Sequence, residues 1–110
     1  MSCVDIMKVL SDETRFAVLQ RLLAGPLHVH EINEELGLDP TLLSHHLKVL
    51  REAALVTATR DGKQMLYGLS PGVRAGRDRR TLNFGCCKLQ FQDQRVIARR
   101  SVRKPSTVSP

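Results

Sequence analysis

The chain has 110 residues, 42% of them hydrophobic, a formal net charge of +6 and three cysteines. That length supports one small domain with a modest core. No apolar run is long enough to cross a bilayer and no basic, then apolar, signal peptide opens the chain, so a cytosolic location is expected. In a reducing compartment three cysteines argue for thiol chemistry rather than a disulfide framework. The charge is unevenly placed. Residues 1–70 carry seven Lys and Arg against nine Asp and Glu, a balance of −2, whereas residues 71–110 carry ten against two, a balance of +8. The basic C-terminal third is therefore the natural source of non-specific affinity for a polyanion.

Residues 3–10 read as a short helix with Ile6, Val9 and Leu10 apolar. Ser11-Asp12-Glu13 is a helix start with an N-cap and acids in the first turn. The helix it opens runs to about Ala24, buries Phe16, Leu19, Leu22 and Leu23, and ends at Gly25-Pro26. Val29, Ile32 and Leu36 then share one helical face, and Gly37 supplies a stop. His28-Val29-His30 opens this helix. Two imidazoles suit zinc, but no third ligand lies nearby, and helix-start histidines more often make local hydrogen bonds.

Residues 39–53 carry the most information. Asp39 is an N-cap and Pro40 fits the first helical position, where a missing N–H costs nothing. Leu43, Leu47 and Leu50 fall on one face of the helix. Thr41, Ser44, His45 and Lys48 fall on the opposite face, which is short, polar and hydrogen-bonding and suits base edges and phosphates in a major groove. His46 lies at the edge of the apolar face, where it caps or packs. The short Gly37-Leu38-Asp39 connection makes the two helices a helix-turn-helix. Leu55 to Arg60 and Lys63 to Leu69 are β-type runs, with Asp61-Gly62 as the two-residue turn. A helix-turn-helix followed by a hairpin is a winged helix, and Arg60 and Lys63 flank the wing tip where a cation can meet phosphate. The expected fold is mainly α with a small β-hairpin wing.

The stretches "LSDETRFAVLQRLL", "HVHEINEELGL", "LLSHHLKVLREAALV" and "RDGKQMLYGLS" resemble the ArsR/SmtB winged-helix repressors, in the right order over about residues 3–71. The resemblance implies a homodimer that binds double-stranded operator DNA at an inverted repeat and leaves it when a metal, metalloid or thiol oxidant binds. It also places Ala54 where the family usually has Gly, so a small local adjustment is expected there. The Cys-x-Cys motif that opens the third helix in the best-known arsenic sensors of the family is here His-x-His, so that trithiolate site is absent.

The chain divides into a DNA-binding domain over 1–71, a loop and strand-like segment over 72–91, and a basic tail over 92–110 that lacks a core pattern and reads as disordered. Arg95, Arg99, Arg100, Arg103 and Lys104 of the tail either brush DNA or only solubilise the chain. Residues 71–80 read as a loop, without the long C-terminal helix, and without the acid-and-His spacing, of the family's zinc sensors. In residues 81–91, Leu82, Phe84 and Cys86 are in phase, and Cys87, Leu89 and Phe91 are in phase one residue later. A β-bulge at Gly85-Cys86-Cys87 would place all six on one face and both sulfurs on the same side.

Thiolates select thiophilic ions. Trivalent arsenic or antimony takes three sulfurs, which points to Cys86 and Cys87 with Cys3 as the remaining thiol; zinc fits less well. The resemblance adds that some arsenical-responsive members carry a Cys-Cys pair near the C-terminus. The reading is a repressor released by As(III) or Sb(III), not an enzyme. Its rivals are a thiol redox or persulfide sensor on the same fold, an effector-free DNA-binding module, and a thiol-dependent enzyme. The last would need a base beside the thiolate, and only Lys88 is near.

Overall fold

The structure, a computed structural model, describes residues 2–78 and 80–91. The basic tail over 92–110, with Arg95, Arg99, Arg100, Arg103 and Lys104, lies outside the described residues.

Helix α1 (Cys3–Leu10) starts at Ser2, whose hydroxyl accepts from the Asp5 N–H while the Asp5 carboxylate accepts from the Ser2 N–H. This reciprocal pair satisfies two orphan donors of the first turn. Helix α2 (Glu13–Leu22) is capped by Asp12, which accepts from the Thr14 and Arg15 N–H groups at 2.8 and 3.1 Å. A two-residue strand β1 (Leu27–His28), absent from the sequence reading, leads into α3 (Val29–Leu36). Gly37 ends α3 in the left-handed conformation (φ 60°), and Asn33 closes the turn by bonding both the N–H and the carbonyl of Leu38. Asp39 accepts from the Thr41 N–H and Pro40 opens α4 (Pro40–Glu52), as expected.

Ala54 has φ 60°, a conformation that costs a residue with a Cβ roughly 1–2 kcal/mol. The local adjustment expected here is thus a left-handed alanine after the helix end. Strand β2 (Val56–Asp61) pairs antiparallel with β3 (Gln64–Leu69), and β3 pairs with β1, giving the order β1-β3-β2. Asp61 faces Gln64 in the register. The two-residue loop is therefore Gly62-Lys63, one residue later than expected, and Gly62 takes the positive φ (65°) that a first loop position of this kind favours.

Leu19, Leu22, Ile32, Leu43, Leu47 and Leu50 are fully buried where the apolar faces of α2, α3 and α4 meet. The sheet closes this core through Val56 and Tyr67. Phe16 is only half-buried, because its ring lies against Phe91 at 4.7 Å between centroids rather than in the helical core.

The segment after residue 70 departs from the sequence reading. Arg74–Ala75 is a short strand, β4, in place of a bare loop. Residues 81–91 form a hairpin, β5 (Thr81–Asn83) and β6 (Lys88–Gln90), and not one bulged strand. Leu82 pairs with Leu89, and the Phe84 N–H donates to the Cys87 carbonyl at 2.9 Å. Chain reversal resolves the phase shift: residues 82 and 84 lie across from 89 and 87, so both apolar series share a face. Leu82, Phe84 and Phe91 are buried, and Cys87 and Leu89 pack beside them. Among the described residues no helix is long and apolar enough to cross a membrane.

Candidate functional site: a polar helix face, a basic wing and a three-sulfur cluster

On α4, Thr41, Ser44, His45 and Lys48 are all exposed, while Leu43, His46, Leu47 and Leu50 are buried. The helix presents the polar face to solvent because its leucines are committed to α2 and the sheet. Leu42, also exposed at 45%, sits among these polar residues. Sequence reasoning passed over it because it breaks the polar pattern without joining the apolar one. An exposed Leu beside Thr41 and His45 can meet a thymine methyl.

His46 packs, as read from its position. Its Nδ1 lies 3.2 Å from Arg15 Nη1 and 3.9 Å from Asp12 Oδ1, and Arg15 Nε donates to the Val9 carbonyl at 2.7 Å. One buried node thus joins α1, α2 and α4. Burial works against the charge of Asp12, but the N–H groups of Arg15 and Thr14, with His46 nearby, hold its carboxyl below the usual range.

At the wing, Arg60 and Lys63 are exposed on either side of Asp61-Gly62. His28 reaches this wing from the start of α3. Its Nε2 lies 2.7 Å from Asp61 Oδ2 and its Nδ1 lies 2.8 Å from Glu31 Oε1, while its backbone N–H donates to the same Glu31 oxygen at 2.7 Å. The hydrogen bonds to Asp61 and Glu31 raise the His28 pKa above the ordinary histidine value. His28 and His30 stack at 5.8 Å, and neither belongs to a group of three metal-binding side chains among the described residues.

The sulfur cluster joins the two ends of the described chain. Cys86 occupies the exposed turn of the β5–β6 hairpin, which Gly85 (φ 90°) allows and which the Gly85 N–H bond to Asn83 Oδ1 steadies. That turn lies against the first residue of α1, and Cys3 and Cys86 are joined as a disulfide. The expectation that disulfides would be absent is corrected here: docking of the hairpin brings together two cysteines 83 positions apart. Cys87 is a free thiol, with its Sγ 3.8 Å from that of Cys86. All three sulfurs lie within 4.8 Å of one another. Both sulfurs of the vicinal pair do reach one side, through a hairpin turn in place of a bulge. The donor set fits a thiophilic ion when the disulfide is reduced: three thiolates, and no hard oxygen ligand in the group.

Residues 12–58 match the family model described as "Bacterial regulatory protein, arsR family". The chain is 30% identical over 80 residues to the transcriptional repressor SdpR of Bacillus subtilis (strain 168), covering 73% of this chain and 89% of that protein. It is 35% identical over 68 residues to an arsenical resistance operon repressor of Staphylococcus aureus, covering 62% of this chain and 65% of that one. Among solved structures, the homodimeric winged helix-turn-helix DNA-binding domain Mb0332 of Mycobacterium bovis superposes with a TM-score of 0.57 at 28% identity, over 69% of this chain and 66% of that one. The chain spans about half to three-fifths of the length of several other curated relatives it matches. With the capped second helix of a helix-turn-helix, a wing on the following hairpin and these relatives, the chain belongs to the ArsR/SmtB family of winged helix-turn-helix regulatory proteins.

Proposed function

We propose that this chain is a homodimeric repressor in the cytoplasm that binds double-stranded operator DNA and is released by As(III) or Sb(III) held by Cys3, Cys86 and Cys87. The single observation that carries the effector assignment is the cluster of three sulfurs within 4.8 Å. Thr41, Ser44, His45 and Lys48 read bases and phosphates in the major groove, and Arg60 and Lys63 grip the flanking backbone. The exposure of all six supports this. The homodimeric state of the Mycobacterium bovis domain supports the dimer, as does the exposed apolar pair Val4 and Met7 on α1, at 60% and 61%. Cys3 lies on the same helix. An ion that ties Cys3 to the hairpin therefore acts on the element that bears the dimer face, and it needs only to favour the DNA-incompetent dimer by a few kcal/mol.

The Cys3–Cys86 disulfide supports a second reading, a thiol redox sensor. A hydroperoxide takes two electrons and two protons from the two thiols, forming the disulfide, water and an alcohol (or, from hydrogen peroxide, two waters). One experiment separates the readings. Fluorescence anisotropy of the reduced protein is followed on labelled duplex from upstream of its own coding sequence, with As(III), Sb(III), zinc and a hydroperoxide as titrants. Release by As(III) or Sb(III) that is lost in the Cys86→Ser/Cys87→Ser protein supports the metalloid reading. Release by hydroperoxide alone, lost in Cys3→Ser, moves the assignment to redox sensing. Tight binding indifferent to all four makes the cysteines structural.

A further inference from the structure

The body of the wing packs on the core through Tyr67, but its tip stands clear. An open groove of about 690 Å³ separates Lys63, Gln64 and Met65 from Val29, His30 and Asn33 of α3. His28 bridges the two sides. Its ring sits with one nitrogen 2.8 Å from Glu31, on its own helix, and the other 2.7 Å from Asp61, at the end of β2 between Arg60 and Gly62-Lys63. Only the imidazolium has an N–H on both nitrogens. The neutral ring keeps one, so one of the two carboxylates then faces a bare lone pair. We propose that His28 is the positioning residue of the wing: it ties Asp61 to the start of α3, sets where Arg60 and Lys63 meet DNA, and makes DNA affinity depend on its own protonation. The proposal rests on the reading of the wing as a DNA contact.

The charges around the ring favour the clamp. Glu31 and Asp61 are the two acids within hydrogen-bond distance, and His30, two residues on in the same first turn, stacks on the ring. Arg21 of α2 stands one residue back, donating to the Glu31 carbonyl at 3.1 Å and pairing with Glu35 at 2.6 Å. Opposite His28 on β3 is the uncharged Leu66. When the ring loses its proton, one of the two hydrogen bonds goes, and with it the positive charge that balanced Glu31 and Asp61; the uncompensated Asp61 charge beside the two wing cations then competes with phosphate for them and repels DNA. The His28 pKa lies above the ordinary value, so the clamp holds at low pH and opens as pH rises through that raised pKa.

The test measures the reduced protein on the same labelled duplex by anisotropy, from about pH 6 to about pH 8.5, without any metalloid. Wild type, His28→Gln, Asp61→Asn and the Arg60→Ala/Lys63→Ala protein are compared. Both single variants keep His30 and His45, so the ratio to wild type isolates the His28–Asp61 pair. The wild type is expected to lose about 3–10-fold more affinity across this range than either single variant. In parallel, the ring NMR signal of His28 should titrate above the ordinary histidine value, and its midpoint should fall in Asp61→Asn even if that protein binds DNA weakly. Parallel pH profiles in wild type and His28→Gln, or a His28 midpoint unmoved by Asp61→Asn, overturn the proposal. An Arg60→Ala/Lys63→Ala protein that binds as tightly as wild type overturns it at the earlier step, by removing the wing from the DNA contact.

Discussion

The helix-turn-helix with its wing and the hairpin over residues 81–91 are held in place by different physics. The first is built from elements that each carry their own start and stop: Ser2 and Asp5 on α1, Asp12 on α2, Gly37 after α3, Asp39 and Pro40 on α4. Their apolar faces then close on one another. The hairpin is two three-residue strands with the two-residue β4 along its edge, too short a strip to hold itself together in water. It exists as a docked element, held by the buried Leu82, Phe84 and Phe91, by Phe91 on Phe16 and by Cys86 against Cys3. Its tie to α1 is the sulfur bond, which thiol chemistry can make or break.

That contrast can be broken or sharpened by measurement. The largest loss should come from Leu47→Ala, at 1% exposure in the centre of the helical core: about 2–5 kcal/mol, read as a lower urea midpoint by far-UV circular dichroism. Reducing Cys3–Cys86 with a phosphine should come next. A disulfide of this kind typically stabilises by roughly 2–4 kcal/mol. An unchanged midpoint on reduction would mean that apolar packing of Leu82, Phe84 and Phe91 seats the hairpin without the sulfur bond. Asp39→Ala removes the cap of α4 and should cost about 1 kcal/mol while leaving the hairpin's amide protection untouched. Ala54→Gly should stabilise by about 0.5–1 kcal/mol, since φ 60° then carries no Cβ penalty.

The pH dependence has a definite sign at two places. The pKa of His28 is raised, so its contribution is fully present below the pKa it has in the unfolded chain and fades as pH rises through its folded value. Asp12 is the reverse. Its pKa is lowered, so its contribution is present above the unfolded carboxylate value and is lost as pH falls through the folded one. Urea midpoints across pH should therefore separate His28→Gln from wild type on the acidic side of neutrality and bring the two together on the alkaline side. Asp12→Asn should differ most from wild type near neutrality and converge with it in acid.

Much of this was legible in the chain itself. Caps and stops act within four residues, and leucines three or four apart share a helix face whatever surrounds them, so α1 to α4, the turn at Gly37 and the exposure of Thr41, Ser44, His45 and Lys48 follow from local spacing. The wing was legible to within one residue. Its loop falls at Gly62-Lys63 because the register is decided by the whole β2–β3 ladder and not by the dipeptide.

The sequence by itself determined a winged helix-turn-helix with a polar recognition face, and it marked Cys86 and Cys87 as a soft-ligand pair. Only the tertiary structure decided that residues 81–91 fold back as a hairpin and that Cys3 meets Cys86. It also decided that His28 spans from α3 to the wing. In each case the partners lie far apart in the chain. Periodicity reports which face a residue occupies and is blind to which distant surface covers it; that is settled only when the apolar faces have found one another.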